Sequence, residues 1–270
     1  MKKTHLLIID AQNDFCDKSG ALYVTGADDD MKRLALFIDK YKSSLGGITV
    51  TFDLHKSFHI ASPVFWVDKS GAHPAPFTII TKDDVLNGKY RASVAEYQGI
   101  AENYVSKLEE NGRYQLCIWP PHCITGSYGA DIYKPLYDAI EEYNKANYNK
   151  VEYILKNMNS FTEQYSILRA DVEIEKESSE KTIFYLTQVI NDNDVIFIAG
   201  EALSHCVANS VLDIATYITK DLSKFVLLID ASSCVSGFEN LGEEFLNKAK
   251  SYGMKVSTVL ESGVFFNEQL

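Results

Sequence analysis

The feature that most constrains this chain is an alternation between short, apolar, β-branched runs and segments whose apolar residues recur with helical period. The runs occupy residues 6–9, 48–52, 115–118, 151–155, 195–199, 225–229 and 256–259. Between them, Met31, Leu34, Ala35 and Ile38 follow the acidic start Asp28-Asp29-Asp30, and Leu136, Ala139, Ile140 and Tyr143 repeat the spacing. Val207, Val211 and Ala215, then Leu241, Phe245 and Ala249, do so again further on. A strand followed by an amphipathic helix, repeated, predicts βαβ units. Runs 6–9 and 195–199 are continuously apolar rather than alternating, as expected of strands covered on both faces. The prediction is therefore an α/β fold: a doubly wound, mostly parallel sheet of about six strands with helices on both faces.

No linker or repeat divides residues 1–270, so we expect one domain. The stretch at about 60–96, rich in Pro, His, Lys and Asp, reads as an irregular insertion too poor in periodic apolar residues to form a core of its own. Lys and Arg total 26 against 37 Asp and Glu, a formal charge of −11, with no basic cluster to track phosphates. Nucleic acid is thus not an expected partner. Only four apolar residues precede Asp10, too few for a secretory signal, and no run approaches the length needed to cross a bilayer. We expect a soluble, cytoplasmic protein with no membrane partner. Cys16, Cys117, Cys123, Cys206 and Cys234 are scattered and odd in number, which disfavours a disulfide framework.

In open α/β sheets chemistry gathers at the carboxyl ends of the strands. That rule selects Asp10, then Asp53 and His55, then Trp119 to His122, Lys156, and Glu201 to Cys206. Cys206 falls in the first turn of a helix predicted to start near Ser204 or His205. There unpaired N–H groups favour thiolate over thiol, whereas a cysteine taken alone is as readily a small core residue. His205 points about 100° away from Cys206 on a helix, so a Cys–His dyad is not expected and His205 reads as structural. Asp10 is the better base. Asp53 and His55 share one side of an extended segment, and a third ligand from His59 or His122 would complete a site for zinc, iron or manganese. Phe15 and Trp119 on their own read as core aromatics.

Taken together, Asp10-Ala11-Gln12-Asn13-Asp14-Phe15, Asp53-Leu54-His55, Trp119-Pro120-Pro121-His122-Cys123, Lys156 and Gly200-Glu201-Ala202-Leu203-Ser204-His205-Cys206 resemble the ordered motifs of nicotinamidases, members of the isochorismatase-like cysteine hydrolases. The resemblance covers most of residues 4–260. It implies a catalytic triad of Asp10, Lys156 and Cys206. It also implies one divalent metal ion, zinc before iron or manganese, on Asp53, His55 and His122, with His59 near the position of a further histidine. A cis peptide between Glu201 and Ala202, an oxyanion hole of the Ala202 and Cys206 N–H groups, and a ring clamp of Phe15, Trp119 and Tyr165 follow from the same resemblance. The implied activity is deamidation of nicotinamide to nicotinate and ammonia through a thioester. The alternatives are hydrolysis of another small amide or carbamoyl compound, or a catalytically silent ligand-binding protein. A small-molecule amide is the expected partner, and a homo-oligomer stays open. The chain departs from the family pattern in a longer connection before Trp119, in Glu201 where an aliphatic residue is common, and in Asn157 where glycine is frequent.

Overall fold

The computed structural model describes residues 2–110, 112, 114–174 and 177–266, with residues 177–179 described by their backbone alone. Six strands form the central sheet: β1 (Thr4–Ile9), β2 (Gly47–Asp53), β7 (Val151–Lys156), β8 (Val195–Gly200), β9 (Phe225–Leu228) and β10 (Lys255–Ser257). Their order is β10-β9-β8-β1-β2-β7, and every neighbouring pair is parallel. Period two sends alternate residues of β1 to opposite faces. Leu6 and Ile8 join an apolar cluster with Met31, Leu34, Phe37 and Ile38 of α2 (Ala27–Tyr41) and Leu136, Ile140 and Tyr143 of α5 (Lys134–Ala146). Leu7 and Ile9 join a second cluster with Leu186 and Ile190 of α6 (Glu177–Asp192), Val211 and Ile214 of α7 (Ala208–Tyr217) and Phe245 of α8 (Glu239–Ser251). Strands β1, β2, β8 and β9 are covered on both sides, as their apolar sequences require, whereas the edge strand β7 leaves Tyr153 and Leu155 exposed.

The chain leaves β1 toward β2 on one side and returns beside β1 through β8 on the other. This reversal leaves a crevice at the carboxyl ends of β1 and β8, the usual place for a ligand in such sheets. Register aligns the strand ends: Ile9 pairs with Gly200, so Asp10 and Glu201 follow side by side, and Asp53 pairs with Lys156.

Two expectations are corrected. Run 115–118 is not a strand of the main sheet. Its core, β6 (Leu116–Cys117), pairs antiparallel with β4 (Ile79–Ile80), outside the main sheet. The run is followed by Trp119-Pro120-Pro121, and two prolines without N–H groups cannot extend a ladder. The stretch at 60–96 is also more ordered than its composition predicts. It holds β3 (Trp66–Asp68) paired with β5 (Tyr90–Ala92), and a short helix α3 (Lys82–Leu86) opened by a Thr81 capping box. Ile60, Phe65, Trp66, Ile80, Val85 and Ala92 are buried in the same cluster as Leu6 and Ile8, joined by Tyr104 and Leu108 of α4 (Gln98–Glu110). Those of residues 60–96 are delivered one or two at a time from turns, two- or three-residue strands and the short helix α3, so no period betrays them. Among the described residues no helix is long and apolar enough to cross a membrane.

Candidate active site

Asp10 directly follows β1 in a left-handed conformation, φ 47°, fully buried. Its N–H donates to Thr51 Oγ1 at 3.0 Å, and the Thr51 hydroxyl donates back to Asp10 Oδ1, so β2 fixes the carboxylate from the side. Lys156, last residue of β7 and also buried, brings Nζ to 3.0 Å from Asp10 Oδ2, 2.9 Å from Asp53 Oδ1 and 3.6 Å from Cys206 Sγ, and donates to Gln164 O at 2.8 Å. One ammonium thus touches two carboxylates and a thiol. Burial alone would lower its pKa, but Asp10, Asp53 and Cys206 together raise it well above the usual lysine range.

The two carboxyls differ. Burial raises the Asp10 carboxyl above its usual range, with Lys156 drawing it down and Asp53 pushing it up. Burial pushes Asp53 the same way, yet His55 and Lys156 outweigh it and hold that carboxyl well below its usual range. Neighbouring carboxylates pushed apart in this way suit separate roles, one kept ionised and one able to take a proton. For Cys206 the structure corrects the expectation of a favoured thiolate. Burial pushes the thiol well above its ordinary range, and Lys156 only partly offsets this. The residue lies in a wide helical turn, Leu203–Val207, that leads into α7 and starts slightly earlier than the sequence suggests. A side-chain hydrogen bond between Cys206 and Asp10 gives the thiol proton somewhere to go.

Beside this group, Asp53 Oδ2 lies 2.9 Å from His55 Nε2 and 3.4 Å from His122 Nε2. His122 Nδ1 sits 2.8 Å from Pro120 O, which fixes its proton there and turns the Nε2 lone pair toward Asp53. Candidate ligand atoms of Asp53, His55 and His122 all lie within 4.8 Å of one another, and a second such set comprises His55, His59 and Glu163. Buried Glu163 Oε2 has no hydrogen-bond partner among the described residues. The carboxylate and two imidazoles of the first set fit a divalent cation, and the unpartnered Glu163 oxygen belongs to the second set, which shares His55. His59 fits less well: its Nδ1 accepts from Ala61 N–H at 3.2 Å, and its Nε2 lies 3.1 Å from Thr162 O, which uses both nitrogens. Burial lowers its pKa to about 4, so its ring stays neutral.

Glu163 and Thr51 have no signature in the sequence, and Asn157 figures there only as a departure from the family pattern. Asn157 Nδ2 donates to Asp53 Oδ1 at 2.9 Å and to Glu163 Oε1, clamping the metal-side carboxylates. Its φ of 65° also accounts for the departure at this position, because asparagine, like the glycine frequent there, tolerates left-handed backbone. Gln12, present in the first motif, donates to Asp53 O and accepts from Asp53 N–H, both at 2.8 Å.

Cys206, Asp53, His122 and Glu163 open onto one small pocket, also lined by Phe15, Leu22, Trp119, Tyr165, Ala202, His205 and Val235. The three aromatics selected from the sequence therefore meet here. Trp119 Nε1 donates to the Tyr165 hydroxyl at 2.9 Å, and the Phe15 ring lies 5.3 Å from that of His122. The Glu201–Ala202 peptide is cis, and the Ala202 N–H donates to no described residue. The Glu201 carboxyl instead accepts from Ser233 N–H at 3.1 Å and hydrogen-bonds Asp30 of α2, so it braces the turn from behind.

No family model and no curated protein matches the sequence. Solved structures are similar in fold. The yeast nicotinamidase Pnc1p superposes with a TM-score of 0.64 at 20% identity, over 94% of this chain and 98% of that one. A nicotinamidase/pyrazinamidase from Acinetobacter baumanii gives 0.65 at 18% identity, over 96% and 98%. The Pyrococcus horikoshii pyrazinamidase in complex with zinc gives 0.54 at 20% identity, over 95% and 99%. Identities this low establish architecture, and on that ground the chain has the isochorismatase-like α/β fold shared by nicotinamidases and pyrazinamidases.

Proposed function

We propose that this protein is a metal-containing cysteine amidohydrolase that deamidates nicotinamide to nicotinate and ammonia. The observation that carries the reading is Lys156 Nζ, placed within 3.0 Å of both Asp10 and Asp53 and 3.6 Å from Cys206 Sγ beside a pocket lined by Phe15, Trp119 and Tyr165. A silent binding protein has no use for a buried lysine shared between a carboxylate and a thiol.

Asp10, with its raised proton affinity, takes the Cys206 proton as sulfur attacks the amide carbon. Lys156 stabilises the charge moved between them. The unpartnered Ala202 N–H is available to the developing oxyanion, a contribution of about 3 kcal/mol for one such donor. Asp10 then protonates the departing ammonia, and as a base again it activates the water that cleaves the thioester. Phe15, Trp119 and Tyr165 hold the ring. A divalent ion on Asp53, His55 and His122 would supply a Lewis-acid anchor for a ring nitrogen, which orients the substrate.

The test is ammonia release from nicotinamide and a panel of small amides, before and after chelation, with metal content measured in parallel. We expect nicotinamide turnover, about one divalent ion per chain, loss of the metal in Asp53→Ala, and no turnover in folded Cys206→Ala. Turnover of other amides with none of nicotinamide would move the assignment to a related amidase. Turnover retained in Cys206→Ala would remove the thioester route.

A further inference from the structure

Trp119, which borders the pocket beside Cys206, is held by contacts from outside the central sheet. Its N–H donates to Ala61 O at 2.8 Å and its indole N–H to the Tyr165 hydroxyl at 2.9 Å. The Phe77 ring meets the indole at a centroid distance of 5.8 Å with the planes at 85°, an edge-to-face pair. Phe77 is the unusual member of this set. Thr78 N–H donates to Ala75 O at 3.2 Å, closing a turn with Pro76 and Phe77 at its centre, and Phe77 has a φ of 67°. A left-handed residue directly after the proline marks a type II turn, whose ordinary occupant at that place is glycine. On the facing segment, Ile118 O accepts from Phe77 N–H at 2.5 Å while Ile118 N–H donates to Thr78 O at 2.9 Å. Two residues thus face one, in a β-bulge at the end of the β4–β6 ladder, and this bulge also favours glycine at its left-handed position. A bulge re-aims the side chain it carries, and here the ring is aimed at Trp119.

Phenylalanine is strained in this conformation where glycine is not, and at 52% exposure its ring offsets little of that cost by burial. What the ring does touch is a wall of the pocket. We propose that Phe77 is a positioning residue that acts through Trp119: it keeps the indole in place and so sets how tightly an aromatic substrate ring is gripped beside Cys206. The inference rests on the amidohydrolase reading above and adds to it a residue from the long connection after β2, outside the motifs that suggested that reading. Without Phe77 the indole gains freedom that a bound ring must then remove, so the loss falls on binding and leaves the chemistry at Cys206 alone.

The experiment measures KM and kcat for nicotinamide, together with the rate at which iodoacetamide, which brings no ring, alkylates Cys206. In Phe77→Gly we expect KM to rise about 3- to 10-fold, the loss of one edge-to-face pair, with kcat within about twofold and the alkylation rate unchanged. Phe77→Tyr, which keeps a ring, should return KM to within about twofold of the unaltered protein. Glycine suits the turn, so Phe77→Gly should also resist urea better than Phe77→Ala, yet both should show the same rise in KM. An unchanged KM in Phe77→Gly would overturn the proposal. So would a KM that recovers from Phe77→Ala to Phe77→Gly in step with stability, or an alkylation rate that falls as far as the affinity for nicotinamide. If the unaltered protein hydrolyses no carboxamide, the amidohydrolase reading fails, and the emission of Trp119 tests the contact by itself. Acrylamide should quench it more readily in Phe77→Gly, since Trp66, the other tryptophan, is fully buried, and an identical quenching curve would overturn the positioning role.

Discussion

Lys156 balances two buried carboxylates, so its removal has consequences of two kinds. Lys156→Met keeps most of the stem but leaves Asp10 and Asp53 without their cation. Breaking a buried ion pair from one side costs about 3–5 kcal/mol, which should appear as a lowered urea midpoint. Asp10→Asn in the same chain should return part of the loss. Lys156 also lowers the pKa of the Cys206 thiol, so the pH profile of Cys206 alkylation should move to higher pH in Lys156→Met. An unmoved profile would place the lysine outside the chemistry. This residue was legible because it closes an apolar strand with a charge. Glu163 was not, because it sits in an irregular segment where neither period nor motif ties a side chain to a partner, and Asn157 stood out only as a departure from the family pattern, with no partner to name. Only the fold brings Asn157 Nδ2 to Asp53.

At the scale of elements, strands 6–9 and 195–199 were readable because burial on both faces writes itself as unbroken apolar sequence. Residues 115–118 look similar, yet pair elsewhere, since a short apolar run says nothing of its neighbour. The stretch after β2 was hardest to read. Its apolar residues arrive one or two at a time, and Trp66, fully buried with its indole N–H donating to Ile60 O at 2.6 Å, shows how firmly it is anchored. Trp66→Ala should therefore cost about 3–5 kcal/mol in global unfolding, where a loosely attached insertion would lose little. The turn after β8 carries a further expectation. Burial, then the Asp30 charge, raises the Glu201 carboxyl well above its ordinary value of 4.5. A raised carboxyl contributes stability that is complete below the unfolded pKa and is lost as pH rises through the folded one. Arg33 balances Asp30 from α2, and the nearby Cys16 and Cys234 thiols have raised pKa values of their own. Glu201→Gln keeps an acceptor for Ser233 and a donor for Asp30 without ionising. It should be more stable than the unaltered protein at about pH 9, with the difference shrinking toward about pH 5. Parallel curves for the two proteins would show that Glu201 does not titrate in this range.

For the whole molecule, the strand order that creates the crevice also dictates when it can exist. Thr4 opens a ladder with Val195, and on that side β1 has no other partner. Pairings between such distant segments form slowly, because loop closure must precede any gain. During synthesis β1 and β2 must wait, with one apolar edge uncovered, until residues 195–200 emerge. An uncovered flat edge is a template for another chain. A fragment ending before residue 195 should thus be insoluble or chaperone-bound, and the full chain should refold slowly, with recovery that falls as protein concentration rises. Solubility of the fragment and concentration-independent refolding would show that β1 finds shelter without β8. Asp10 and Cys206 flank this same late pairing, so the proposed base and nucleophile first meet only when the sheet closes, and any chemistry that needs both must wait for β8.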